Sequence, residues 1–172
     1  MENKKPLIIL DRPNPNGFYV DGPVLDKSFS SFVGMQPIPV VHGMTIGEYA
    51  LMICGEGWLT SGNDYADPKR LLTIISCLRY DHKTKYVLPV NPSPNLRQMQ
   101  SIYLYPSTCF FEGTILSEGR GTETPFQVFG HPTLPKKLFS FTPKPNEGAK
   151  SSKCYNQLCY GWNLSGTTDE VL

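Results

Sequence analysis

Leu7-Ile8-Ile9-Leu10 is a continuous apolar run that breaks at once into Asp11-Arg12-Pro13-Asn14-Pro15-Asn16-Gly17. A short unbroken apolar run predicts a strand buried on both faces, as in a parallel sheet. Two prolines and a glycine then fix a loop at the strand's carboxyl end, where open α/β sheets bind ligands. Residues 18–44 show no clear period but several turn signals, including Asp21-Gly22-Pro23, Gly34, Pro37, Pro39 and Gly43. They predict a long structured loop with short strands, and a loop of that length in a compact domain is usually functional. At Thr45-Ile46-Gly47-Glu48 the pattern changes to a helical one. Thr45 is placed to cap, Glu48 holds the reciprocal capping-box position, and Ile46, Tyr49, Ala50 and Ile53 share one face. Gly55 and Gly57 predict its end.

A second apolar run, residues 71–78, predicts another buried strand. After a polar stretch, Asn91-Pro92-Ser93-Pro94-Asn95 opens a predicted helix through about Leu104, capped by Ser93 or Asn95. Cys109-Phe110-Phe111-Glu112 reads as a third strand ending in the glycine-rich loop 113–124. The order strand, loop, helix, strand, helix, strand predicts an α/β layer architecture. From about residue 126 the character changes to short strand-like pieces, 126–128, 138–142 and 160–164, separated by Pro, Gly and Lys-rich turns. These predict a separate strand-rich domain.

Composition narrows the function classes. Across 172 residues, 40% are hydrophobic and 18% charged, which is globular and not disordered. The net charge is +1 with Lys and Arg scattered, so no basic stripe marks a nucleic-acid partner. No apolar run approaches the ~20 residues of a membrane span, and the first residues carry no secretory signal pattern. Five cysteines leave at least one unpaired in a monomer. Cys54, Cys77 and Cys109 sit in apolar runs and read as buried thiols, whereas Cys154 and Cys159 are spaced to pair if oxidised. Zinc would need two further ligands near that pair, and the sequence has none there.

Polar groups gather where the predicted strands meet their loops: Asp11, Arg12 and Asn14, then His42 and Glu48, then Glu112, Glu118 and Arg120. Strand-end loops of a parallel sheet converge on one edge. Carboxylate pairs in a cleft are the usual equipment for glycoside hydrolysis, one protonating the leaving oxygen while the other activates water or stabilises the oxocarbenium ion. Each residue also has a plainer role. Glu48 can serve only the helix cap. Asp11 and Arg12 can pair with each other or with backbone, His42 can be a solvated loop residue, and 118–122 can be a surface turn. Arg120 between two glycines is more suggestive, because glycine permits close approach of backbone to a ligand. The spacing matches neither a dinucleotide fingerprint nor a P-loop.

Taken in order, the motifs resemble a known family. Asp11-Arg12-Pro13-Asn14-Pro15, Gly22-Pro23-Val24-Leu25-Asp26, Ser31-Phe32-Val33-Gly34 and His42-Gly43-Met44-Thr45-Ile46-Gly47-Glu48 are four of its signatures. Ser93-Pro94-Asn95, Tyr105-Pro106, Glu112-Gly113-Thr114 and Ser117-Glu118-Gly119-Arg120-Gly121-Thr122, followed by Pro125-Phe126, complete the series. Over residues 7–131 the chain resembles the NamZ-type exo-β-N-acetylmuramidases. The resemblance implies removal of N-acetylmuramic acid from the non-reducing ends of peptidoglycan fragments, outside the cytoplasm, without a cofactor or metal. It implies a Rossmann-like domain and a smaller auxiliary domain. Residues 1–127 would then be the second half of the first domain and 128–172 the beginning of the second. Family members are longer than this chain, and a Pro-Glu-His-Gly type motif with an expected catalytic glutamate has no counterpart here, so a fragment is the expectation.

Within the chain, Glu48 or Glu118 is the expected acid, with Glu112 orienting its neighbours. The lactyl carboxylate of muramic acid calls for a guanidinium partner, Arg12 or Arg120. Asn14, Asn95 and Thr122 are candidates for the acetamido group, and His42 for a further substrate contact. The alternatives are a carbohydrate-binding module without activity, or a structural fragment without independent function.

Overall fold

The computed structural model describes residues 5–59 and 70–167, and its contacts divide the chain into two compact units, Met1–Tyr86 and Val87–Leu172. In the first unit, β1 (Leu7–Leu10) and a later strand, Leu72–Ile75, pair in parallel with Leu7 opposite Leu72 and Leu10 opposite Ile75. The two apolar runs thus form the expected parallel pair, although the second strand stops before Ser76. Their faces are more open than an unbroken apolar pattern predicts, since Leu7, Ile8, Leu10 and Ile75 are all exposed. Among the described residues the pair has no further strand beside it. The Asp11 N–H donates to the Ile75 carbonyl at 2.9 Å, which fastens Asp11 to the carboxyl end of the ladder.

The long loop contains an antiparallel ribbon of β2 (Asp21–Val24) and β3 (Pro39–Val41), with a 3-10 turn at Lys27–Phe29 capped by Asp26. Helix α1 spans Ile46–Gly55 and carries the expected capping box between Thr45 and Glu48. Its buried face is rotated from the expected one. Gly47 and Cys54 are buried, while Ile46 is 63% exposed. The cause is close packing at the helix start, where a Cβ on Gly47 would come within 2.7 Å of Ile74 and 2.8 Å of an Asp11 carboxylate oxygen. Only glycine lets the helix N-terminus approach the Asp11 carboxylate so closely. The strand Leu72–Ile75 is β4.

In the second unit, α2 runs from Met99 to Thr108, later than expected, with no side-chain cap and with Pro106 inside it. Cys109–Gly113 is a 3-10 helix and not the third strand. It continues from α2, the Cys109 N–H donating to the Tyr105 carbonyl, so the apolar run follows the helix and never pairs. Three antiparallel strands follow in the order β5-β7-β6, with β5 at Val128–His131, β6 at Phe139–Phe141 and β7 at Cys159–Asn163. The core holds Ile102, Leu104, Phe126, Val128 and Cys159.

The expected division between residues 127 and 128 falls inside this unit. Ser101 donates to the Pro125 carbonyl, Thr108 to that of Phe126, and Gln127 to Ser101 and Gln98, so α2 and the residues leading into β5 are one hydrogen-bonded assembly. All five cysteines are free, and of the three expected to be buried only Cys54 is fully so. Burial and the neighbouring Cys154 push the Cys159 thiol up to about 12. Among the described residues no helix is long and apolar enough to cross a membrane.

Candidate functional site

The polar candidates form two clusters, one in each unit. The first lies at the carboxyl end of β1 and β4, against the start of α1. Asp11 accepts from the Thr45 hydroxyl at 2.6 Å and from the backbone N–H groups of Gly47 and Arg12, both at 3.0 Å. Burial would raise its carboxyl, but these three donors outweigh that and hold it below the usual carboxylate value. Glu48 accepts from the Thr45 N–H at 2.8 Å, while the Glu48 N–H donates to the Thr45 hydroxyl at 3.2 Å. Its other oxygen meets His82 Nε2 at 2.9 Å. Burial pushes the Glu48 carboxyl up, yet the Thr45 N–H and His82 bring it below its ordinary value. Two carboxylates are therefore held as anions at a helix N-terminus, where the partial positive charge of the helix favours them.

Asp11, Thr45, Gly47, Glu48, Leu51 and Tyr80 line a cavity of about 190 Å³, with Ile74, Ser76 and Cys77 from the end of β4 completing its wall. Each Glu48 carboxylate oxygen accepts one hydrogen bond, so each retains a lone pair for a ligand hydroxyl. Arg12 is exposed, and its guanidinium has no partner among the described residues. Burial and the Asp11 charge push the Cys77 thiol up while the Arg12 charge opposes them.

Asn14 and His42 organise the loops around this cavity. Asn14 Nδ2 donates to the Met44 carbonyl at 2.9 Å and its Oδ1 accepts from the Asn16 N–H at 2.9 Å. The Met44 N–H donates to His42 Nδ1 at 3.1 Å, and the His42 ring stacks on Tyr49. Burial depresses the His42 pKa, which favours the neutral ring.

The second cluster is built on the loop between the 3-10 helix and β5. Ser117 exchanges both backbone hydrogen bonds with Gly130, and Phe126 N–H donates to the Glu118 carbonyl, so Glu118 is carried into the interior. It is only 4% exposed. Its carboxylate lies 3.6 Å from Arg120 Nε and 3.4 Å from Lys153 Nζ, and Arg120 also pairs with Glu112. Lys153 donates to the carbonyls of Phe111, Glu112 and Leu116, closing the loop around the carboxylate. The glycines beside Arg120 serve the chain's own backbone. Gly121 has φ +84, and a Cβ there would sit 2.6 Å from the Lys144 carbonyl.

A cleft of about 420 Å³ runs along Glu112, Glu118, Arg120 and residues 148–153. Glu118, Arg120 and Ser152 line it, while Glu118 Oε2, Arg120 Nε and Ser152 Oγ are buried beneath its surface with no hydrogen-bond partner among the described residues. Asn95 is buried beside this region, donating to the Gly148 carbonyl at 2.8 Å, and the Thr122 hydroxyl donates to the Gly119 carbonyl at 2.7 Å.

Sequence reasoning missed His82, Tyr80 and Lys153. The Tyr80 hydroxyl donates to the Asn14 carbonyl and accepts from the Asn14 N–H, which clasps the loop after β1. All three residues lie in stretches without periodicity, and only their type, polar residues just past β4 or near the last strand, could have drawn notice.

The family model described as exo-beta-N-acetylmuramidase NamZ, N-terminal, matches residues 1–100, and its C-terminal counterpart matches residues 103–171. The chain is 41% identical to peptidoglycan beta-N-acetylmuramidase NamZ of Bacillus subtilis, over 95% of this chain and 41% of that protein. A solved DUF1343 family protein of Bacteroides fragilis is 53% identical, with a TM-score of 0.89 over 98% of this chain and 46% of its own. A second from the same organism is 25% identical, with a TM-score of 0.77 over 94% of this chain and 45% of its own. The chain spans less than half the length of each of these relatives. With both family models matched in order along almost its whole length, the chain belongs to the NamZ exo-β-N-acetylmuramidase family.

Proposed function

We propose that this polypeptide is part of a glycosidase that releases N-acetylmuramic acid from the non-reducing ends of peptidoglycan fragments, outside the cytoplasm. The observation that carries the reading is a pair of anionic carboxylates, Asp11 and Glu48, in a cavity at the carboxyl end of a parallel strand pair, within a chain of this family. That position is the ligand edge of a Rossmann-like sheet, which is the fold proposed for the first domain.

Glu48 is proposed as the carboxylate that meets the reacting sugar. Depressed below its ordinary pKa, it suits activation of water or stabilisation of an oxocarbenium ion better than donation of a proton. Arg12 is the proposed partner of the lactyl carboxylate, because its fork has no partner among the described residues, whereas Arg120 is engaged by Glu112 and Glu118. Glu118, Glu112, Arg120, Asn95 and Thr122 are proposed to shape the second cleft for the hydroxyl and amide groups of peptidoglycan sugars in its own right. Asn14 and His42 act on substrate through the loops they hold.

A second reading, a sugar-binding module without turnover, has one observation in its favour. The carboxylates of the second cluster are all paired internally with cations. Release from a chromogenic β-N-acetylmuramide separates the two. Release that Glu48→Gln lowers by about 10²-fold or more at unchanged melting temperature supports the glycosidase. Release that survives the substitution moves the chemistry away from Glu48, and binding without release supports the module.

A further inference from the structure

His82 has no role in the reading above, yet its ring is fixed at both nitrogens. His82 Nδ1 lies 2.9 Å from the Gly17 carbonyl and Nε2 lies 2.9 Å from Glu48 Oε1. A carbonyl oxygen only accepts, so Nδ1 must carry a proton. The Nε2 lone pair of a neutral ring would then face a carboxylate oxygen, two acceptors with nothing between them. A second proton removes the conflict, and it resides on Nε2 as long as Glu48 remains ionised. The Gly17 backbone thus sets the tautomer, and an ionised Glu48 draws the second proton onto Nε2.

The geometry points to His82 as a positioning residue that holds Glu48 as a carboxylate, assigning Glu48 the role of base or cation stabiliser and leaving the acid role to another group. The inference rests on the glycosidase reading for its meaning, though not for its test. The surroundings agree with it. The Thr45 N–H holds the other Glu48 oxygen, so the carboxylate is gripped at both ends and cannot rotate out of the cavity. Glu48 raises the His82 pKa through their hydrogen bond, and the Gly17 carbonyl adds to the shift. Among the described residues the other ionisable groups around the pair are Asp11, Arg12, His42, Tyr49, Cys77 and Tyr80. Asp11 is itself stabilised as an anion by Thr45, Gly47 and Arg12 N–H, so a cation at His82 also offsets two like charges in one cavity. Half of each side chain is exposed, 51% for His82 and 44% for Glu48, so the pair can exchange protons with solvent while a ligand is bound nearby.

The test reads protons and not turnover. In the 172-residue chain with labelled histidine, ¹⁵N NMR titration is expected to show His82 protonated at both nitrogens, with a midpoint above the ordinary ~6.5. Glu48→Gln should return that midpoint to ~6.5 or below. In the reciprocal arm, the Glu48 carboxyl ¹³C midpoint should rise in His82→Gln, which keeps a donor and loses the charge, and rise further in His82→Phe, which loses both. If His82→Phe does not fold, His82→Gln alone decides the arm. A His82 midpoint that ignores Glu48→Gln, or a Glu48 midpoint that ignores loss of His82, overturns the inference. Binding of N-acetylmuramic acid is measured separately in the same samples, so failure of the muramyl-sugar reading remains distinguishable from failure of the pairing.

Discussion

The two polar clusters neutralise their carboxylates by different means. In the first unit Asp11 is satisfied by a hydroxyl and backbone N–H groups, and Glu48 by one N–H and one histidine. In the second, Glu118 is buried between Arg120 and Lys153, and Arg120 also pairs with Glu112. Backbone and hydroxyl donors leave Asp11 its charge, and the half-exposed His82 takes one lone pair of Glu48 and leaves the others, so the first cluster remains able to act on a ligand. Cations cancel the charge, so the second holds a loop in shape along the wall of its cleft. The number of acidic residues is similar in the two places, and what surrounds them decides their use.

The comparison breaks most visibly at Lys153. Lys153→Met leaves Glu118 buried beside one partly exposed cation and removes a donor from three carbonyls. Breaking a fully buried pair costs more, but partial exposure of Lys153 reduces the loss to about 2–3 kcal/mol. Trp162 lies in the second unit and Trp58 in the first, so denaturation of a Trp58→Phe background followed by fluorescence reads the second unit alone. A loss below about 0.5 kcal/mol would mean that the cluster is solvated and the cleft is not held by it.

Thr45→Ala in the first unit should cost less, about 1–2 kcal/mol, because it removes a helix cap and a hydroxyl donor to Asp11 without leaving a charge unpaired. Read through Trp58 in a Trp162→Phe background, an equal or larger loss than at Lys153 would reverse the contrast.

The smallest effect is the pH dependence of the His82–Glu48 pair. A raised His82 pKa contributes stability that is present below ~6.5 and lost as pH climbs through the folded value. A lowered Glu48 pKa contributes stability that is present above ~4.3 and lost as pH falls through the folded value. The melting-temperature difference between the parent chain and His82→Gln should therefore be greatest between about pH 4.3 and 6.5 and shrink on both sides. Taking the difference cancels the opposing contribution of His42, whose depressed pKa favours the folded state as pH rises. A difference that does not vary with pH would show that His82 only fills space.

Local rules made much of this legible. The Thr45–Glu48 capping box, the strands at 7–10 and 72–75 and the last two strands of the second unit each follow from a short window of sequence, while the first strand of that unit lies at 128–131 and not at 126–128, because Phe126 and Gln127 form the turn before it. Cys109–Glu112 was misread because an apolar run of four cannot by itself distinguish a strand from the end of a helix, and α2 supplied the helix. The face of α1 was misread because Gly47, invisible to a hydrophobic pattern, is where the helix comes closest to Asp11 and Ile74. The burial of Glu118 depends on Lys153, and the ionisation of Glu48 on His82, each more than thirty residues away in an aperiodic stretch. Such partners become visible only when the chain is folded.

The central claim is that the cavity bounded by Asp11, Glu48 and Tyr80 takes a muramyl sugar through its charge. Titration of the ¹⁵N-labelled chain with N-acetylmuramic acid, with N-acetylglucosamine as the matched sugar lacking the lactyl carboxylate, tests it directly. Saturable shifts are expected at Asp11, Arg12, Gly47 and Glu48 for muramic acid, with weaker binding of glucosamine. Arg12→Lys is expected to remove most of that preference, worth about 1.5–3 kcal/mol for a bidentate pair. Equal binding of the two sugars, or shifts confined to residues away from this cavity, would contradict it.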